Sequence, residues 1–307
     1  MEYILKTIHL TKVFNGVEAV SEINMNITKG EIYGFLGPNG AGKTTVLRLI
    51  ANLIKPTNGE IEIFGEKLTD MSYELLKRIG TIIEFPVFYD KLSARENMDL
   101  HCRYMGLHDK RAIDNALELV KLNDTGKKPV KDFSLGMKQR LGIARAITTR
   151  PEFLMLDEPI NGLDPIGIKE IRELFRTLCK EYGITLLISS HILGEIEQIA
   201  DTVGVINKGR LIKQVTLDQI RDNSEEYLEI RTKDNEKAAF ILEYQLGIKN
   251  FKIGEKSIIR VYEVKVPQAD LVKAMVIGGV VLEAVNRKSN SLEEYFFKLL
   301  NGGASNA

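Results

Sequence analysis

An α/β fold with a largely parallel sheet is predicted for the first two-thirds of this 307-residue chain, with a small α+β domain after it. Three observations predict this. Short β-type runs alternate with helical patterns through the first half. A block from about Phe88 to Arg150 is almost entirely helical, as an inserted subdomain would be. After Thr216 the glycine-rich loops stop, and shorter strand-like and helical runs alternate.

The elements follow in order. Ile23, Met25 and Ile27 alternate like a half-buried strand. Glu31 to Leu36 reads as a buried strand entering a glycine-rich turn, and a helix is predicted from about Lys43 to Leu53, with Val46, Leu47, Ile50 and Leu53 on one face. Helices are predicted near residues 93 to 105, 110 to 122 and 135 to 149. Phe153 to Leu156 and Ile184 to Ser189 have strand length and are separated by a helical stretch after Pro165. Val203 to Val215 reads as a hairpin turning at Lys208-Gly209. The second domain is expected to start near residue 222, with strands at 227 to 232, 258 to 266 and 280 to 285 and helices at 236 to 246 and 268 to 277. Leu292, Tyr295, Phe296, Leu299 and Leu300 form one apolar face of a terminal helix, expected to pack on its own domain.

Composition narrows the function classes. Lysine plus arginine and aspartate plus glutamate each number 42, and the balance holds regionally, with 13 of each sign after residue 220. No global charge favours nucleic acid, and no charged tail exists. Cys102 and Cys179 lie far apart without metal-ligand spacing, so reduced thiols are expected. The N-terminus has too short an apolar run for a signal peptide, and the run Met275 to Leu282 is too short to span a bilayer. Work at a membrane would require a partner.

Gly37-Pro38-Asn39-Gly40-Ala41-Gly42-Lys43-Thr44 fits the phosphate-loop pattern G-x-x-x-x-G-K-[ST], between a predicted strand and a predicted helix that also carries Thr45. Glycines let backbone N–H groups turn inward around an anion, and the helix N-terminus adds its positive dipole end. Lys43 would reach the β- and γ-phosphates, and the Thr44 hydroxyl would ligate Mg²⁺. Asp157 and Glu158 end a buried apolar run, where Asp157 is the expected magnesium-side carboxylate and Glu158 the base for an attacking water.

Phe133-Ser-Leu-Gly-Met-Lys-Gln-Arg140 begins a helix with Ser134 in the N-cap position. Twenty-three residues before Asp157, it resembles the signature motif of ATP-binding cassette (ABC) ATPases. The resemblance covers residues 3 to about 220 and includes Phe14 as the adenine-stacking aromatic, Asn161-Gly-Leu-Asp164 as the D-loop and His191 as the switch histidine. His9, His101 and His108 have no motif around them.

What the resemblance implies is a P-loop ATPase core with a β-rich N-terminal part and an inserted helical subdomain (about 88–150). Together these make a nucleotide-binding domain over residues 1–220, and residues 222–307 form a small C-terminal accessory domain. ATP and Mg²⁺ would bind between two domains closed head to tail, so Ser134 and Gly136 would act in trans across the dimer. Both halves of the composite site occur in one chain, which favours a homodimer.

The chain departs from the family pattern at Leu135, where glycine is usual, at Met137, where glutamine is usual, and at Glu84, where the family places glutamine. An acid at residue 84 changes the charge near Mg²⁺ and could ligate it, or compete with Glu158. These features resemble the ATPase subunits of bacitracin- and lantibiotic-type resistance exporters, and the family resemblance implies that a permease coupling helix docks on the segment after Glu84, through Tyr89 to Asn97. The expected protein is cytoplasmic and peripheral on the inner face of the membrane. It would bind no nucleic acid and drive a separate permease that exports a peptide antibiotic or similar amphiphile. The other readings are a soluble ABC-type switch in translation or on DNA and an importer subunit. The accessory domain reads either as a packing appendage or as a partner-contact module.

Overall fold

A computed structural model describes residues 2–222, 226–254, 258–262 and 266–289. The chain divides into two compact units, Met1–Leu217 and Asp218–Ala307.

The first unit opens with two long strands, β1 (Tyr3–Phe14) and β2 (Val17–Thr28), then β3 (Ile32–Leu36) and α1 (Lys43–Ile50). Next come β4 (Asn58–Ile63), β5 (Glu66–Lys67), the single turn α2 (Tyr73–Leu76) and β6 (Ile79–Ile82). The helical insert holds α3 (Ala94–Tyr104), α4 (Lys110–Leu119) and α5 (Leu135–Ile147). The core resumes with β7 (Phe153–Leu156), α6 (Pro165–Lys180), β8 (Thr185–Ser190), α7 (Leu193–Glu197), β9 (Thr202–Asn207) and β10 (Arg210–Thr216).

These strands form an antiparallel sheet in the order β2-β1-β4-β5 and a six-stranded sheet in the order β10-β9-β3-β8-β7-β6. In the latter, β9, β3, β8, β7 and β6 run parallel. Every residue of β3, β7 and β8 is buried, as expected where a parallel sheet is covered on both faces. Leu5, Ile23 and Met25 of the antiparallel sheet, Val46, Leu47, Leu49 and Ile50 of α1, and Phe35, Phe153, Met155 and Leu187 of the parallel sheet share one apolar cluster. That cluster fixes the helix against the central strands.

Helix starts follow local chemistry. Ser93 and Glu96 form a reciprocal capping box on α3, and the serine N–H and O–H hold the Glu96 carboxyl below its usual range. Asp109, Ser134 and Asp164 cap α4, α5 and α6. The predicted helix ending at Leu53 is shorter in the structure. It stops at Ile50, Asn52 turns the chain at φ 57°, and Leu53 is 64% exposed. The hairpin of β9 and β10 turns at Lys208 and Gly209, both with positive φ.

Helix α8 (Leu217–Asp222) follows β10. The second unit then contains β11 (Glu226–Thr232), α9 (Asn235–Phe240) continued by a π turn over Ile241–Gln245, β12 (Phe251–Gly254), β13 (Ile258–Val261), α10 (Gln268–Ile277) and β14 (Leu282–Ser289). Its antiparallel order β12-β13-β11-β14 gives the split β-α-β arrangement of ferredoxin-like domains. Leu228, Ile230, Leu242, Ile259, Leu271 and Met275 make its core. The predicted terminal face of Leu292, Tyr295, Phe296, Leu299 and Leu300 lies outside the described residues. Among the described residues no helix is long and apolar enough to cross a membrane.

Candidate active site

The parallel strands β3, β7 and β8 deliver their following residues to one edge of the sheet, where α/β folds place ligand sites. The loop after β3 supplies an anion cradle. Gly40 and Gly42 have φ of 78° and 106°, in the left-handed region open to glycine. A Cβ on Gly37 would stand 2.3 Å from the Ile206 carbonyl oxygen, so the tight turn there admits no side chain. Pro38 and Ala41 close it through an Ala41 N–H to Pro38 O bond of 3.1 Å, and Asn39 and Gly40 lie at its exposed tip. Gly42 precedes the first turn of α1, whose Thr45 is half-buried.

Lys43 is 6% exposed, and its ammonium donates to the carbonyls of Gly37 (2.7 Å) and Pro38 (3.3 Å) and pairs with Glu158 Oε1 at 3.1 Å. The other Glu158 oxygen lies 2.9 Å from His191 Nδ1. Glu158 itself has φ 47°, an uncommon backbone state for a non-glycine residue directly after a buried strand.

Asp157 is 5% exposed and accepts from two hydroxyls, Thr44 Oγ1 on Oδ2 at 2.7 Å and Ser189 Oγ on Oδ1 at 2.5 Å. The Ser189 oxygen in turn accepts from the Glu158 N–H at 2.9 Å. Ser189 thus aligns both carboxylate-bearing residues, a role absent from the sequence reading. Its only signal is two serines closing a strand after the apolar run Leu186 to Ile188. Among the described residues no cluster of three or more His, Cys, Asp or Glu could hold a metal alone. A hard cation here fits the oxygens of Thr44 and Asp157 with the remainder drawn from phosphate and water, the usual arrangement for Mg²⁺.

The remaining predicted residues lie around this centre. Glu84 follows β6 at φ 63°, and its carboxylate is ion-paired with Arg48 of α1, a second partner the sequence reading missed. Phe14 ends β1, 44% exposed, with the Lys12 ammonium 5.1 Å from its ring centroid. Ser134 accepts from the Met137 N–H (3.2 Å) at the start of α5, and a Cβ on Gly136 would meet only ordinary contacts with Leu163 and the Ser134 hydroxyl. The Asp164 carboxylate accepts from the Gly167 N–H at 2.8 Å. Among the described residues no hydrogen bond joins Ser134, Gly136 or Asp164 to the loop at 37–45.

Comparison with known proteins agrees with this geometry. A family profile described as ABC transporter matches residues 20–161. The chain is 57% identical to the uncharacterized ABC transporter ATP-binding protein YcbN of Bacillus subtilis (strain 168), over 100% of both chains. It is 48% identical to the bacitracin transport ATP-binding protein BcrA of Bacillus licheniformis, over 99% of both. Among solved structures it resembles the dimeric post-hydrolysis state of the ATP-binding cassette MJ0796 bound to ADP and Pi, with TM-score 0.63 and 27% identity over 69% of this chain and 98% of that one. With full-length relatives of this kind, this chain belongs to the ABC transporter family as one of its ATP-binding, ATP-hydrolysing subunits.

Proposed function

We propose that this chain hydrolyses ATP to drive a separate membrane-spanning permease that exports bacitracin or a similar amphiphilic peptide. The observation that carries the chemistry is the linked set Lys43–Glu158–His191 beside Thr44–Asp157–Ser189. The similarity to BcrA along nearly the whole chain supports the substrate class.

Glu158 balances the Lys43 charge. Phosphate entering the cradle of Gly37, Pro38, Asn39, Gly40, Ala41 and Gly42 offers Lys43 another anion, which frees a Glu158 oxygen for water. Glu158 takes one water proton, the resulting hydroxide adds to the γ-phosphorus, and the bond to the β-phosphate oxygen breaks to give ADP and phosphate. His191 holds the second Glu158 oxygen and would meet the γ-phosphate. Bound Mg²⁺ would supply charge neutralisation at the phosphates. Thr44 and Asp157 would hold it, with Thr45 at the helix start and Glu84 on the magnesium side, and Phe14 would stack on adenine.

Two copies would close head to tail, with Ser134, Gly136 and the α5 N-terminus of one facing the γ-phosphate of the other and Asp164 near the interface. The cassette is assigned residues 1 to about 220 and the accessory domain 222–307. The chain would sit on the inner face of the membrane. Phe85 and Val87, 72% and 79% exposed beside Glu84, support that segment as the permease contact.

Two expected results follow. Introduced with its permease into a bacitracin-sensitive host, the chain should raise tolerance, and Glu158→Gln should abolish the gain. Tolerance unaffected by the intact pair contradicts the substrate assignment. Ser189→Ala leaves Asp157 and the Glu158 amide each short of one buried partner, which costs about 1–3 kcal/mol. Loss of about 1.4 kcal/mol from the transition state gives a tenfold lower kcat. Steady-state ATPase assays and thermal melts check both effects.

A further inference from the structure

Arg48 lies one helical turn after Thr44 on α1, so the two side chains leave the same face. That face makes two attachments side by side. Thr44 donates to Asp157 just past β7, and Arg48 pairs with Glu84 just past β6, the parallel neighbour of β7. Glutamate at φ 63° occupies a backbone state that side-chain-bearing residues seldom adopt.

The chain beyond Glu84 is anchored elsewhere. Arg145 Nη1 donates to the Val87 carbonyl at 2.8 Å, and its guanidinium lies 4.9 Å from the Phe88 ring centroid. Pro86 packs so closely on Gly142 that a Cβ there would be 2.9 Å from the proline ring. Gly142 and Arg145 both belong to α5, whose first turn Ser134 caps. Residues 84–88 therefore form a strap from the phosphate-binding helix to the helix carrying the signature serine.

We propose that Arg48 is a positioning residue that latches the Glu84 carboxylate away from Thr44 and Asp157, so that Mg²⁺ bound with ATP must compete with the arginine for Glu84. The proposal rests on the reading in which Glu84 serves the magnesium side of the site. Only an acid at this position can form the ion pair; an amide cannot. Moving the carboxylate from the level of Arg48 to that of Thr44 is a shift of one helical turn, ~6 Å at 1.5 Å per residue. The pair is exposed on both sides, so it is weak and salt-screened, as a latch that a ligand can open needs to be.

The test is calorimetric titration of ATP, with and without Mg²⁺ and at low salt, into the full-length chain carrying Glu158→Gln to block hydrolysis. Arg48→Gln is expected to tighten Mg²⁺-dependent binding roughly two- to fivefold, the range set by an exposed ion pair. Arg48→Lys should keep the parental affinity. Raising the salt should close the gap, and Arg48→Gln should be silent once Glu84→Gln is present. A merely structural arginine would lower the melting temperature without this dependence on Glu84. Unchanged affinity, or an equal change in both backgrounds, overturns the latch while leaving the role of Glu84 intact. If Glu84→Gln leaves the Mg²⁺ dependence of binding unaltered, the reading of Glu84 falls and the latch falls with it.

Discussion

Glu158→Gln is expected to lower kcat for ATP hydrolysis by about 10²–10⁴, the usual contribution of a general base, while ATP binding survives. This corresponds to about 3–5 kcal/mol of barrier. The amide keeps the size of the side chain and can still bond His191, which stands 2.9 Å from the native carboxylate. It cannot accept the water proton. It also removes the anion 3.1 Å from the Lys43 ammonium, so the lysine meets incoming phosphate without a competing internal partner. Equal or tighter ATP affinity with lost turnover is the expected pair of results, measured by calorimetry and by single-turnover hydrolysis. Wild-type turnover in this variant would remove Glu158 from the mechanism.

Lys43→Ala should fail differently. Its ammonium is nearly fully buried among the Gly37 and Pro38 carbonyls and Glu158, and these contacts position it where phosphate would enter. Hydrogen bonds to charged groups contribute about 1.5–3 kcal/mol. The dissociation constant for ATP should therefore rise roughly ten- to a hundredfold, at 1.4 kcal/mol per decade. Removing the cation also leaves Glu158 Oε1 without its lysine partner, so carboxylate repulsion of phosphate adds to the loss. A direct binding titration separates the two variants, since one loses turnover at saturating ATP and the other loses saturation.

The parts of this site carried by local sequence were legible without a structure. Glycines at 37, 40 and 42 announce a turn that only a tight, backbone-lined loop requires, and the apolar run before Asp157 places both carboxylates at a strand end. Ser134 and Lys208-Gly209 are likewise local signals, read by the helix cap and the hairpin turn they form. Contacts made through sheet pairing were not legible. Ser189 reaches Asp157 because β7 and β8 lie parallel with Leu156 opposite Ile188, a register set by the whole core. Arg48 reaches Glu84 across 36 residues because α1 packs on the core beside Ile79 and Ile83, which no local pattern announces.

Strand β1 escaped the period-two pattern because its pairing with β2 is interrupted by register shifts around Thr7, Leu10 and Lys12, with positive φ at His9. Each shift moves later side chains to the other face and erases the alternation. Strand β12 has four residues, three of them exposed, too few for the alternation of Phe251 and Ile253 to stand out.

The central proposal is that two copies of this chain close on ATP and separate once it is hydrolysed. Sedimentation of the purified Glu158→Gln protein with saturating ATP and Mg²⁺ tests it most directly. The account predicts a doubling of the sedimenting mass with ATP and return to the single-chain mass with ADP. A single-chain mass at saturating ATP would contradict it.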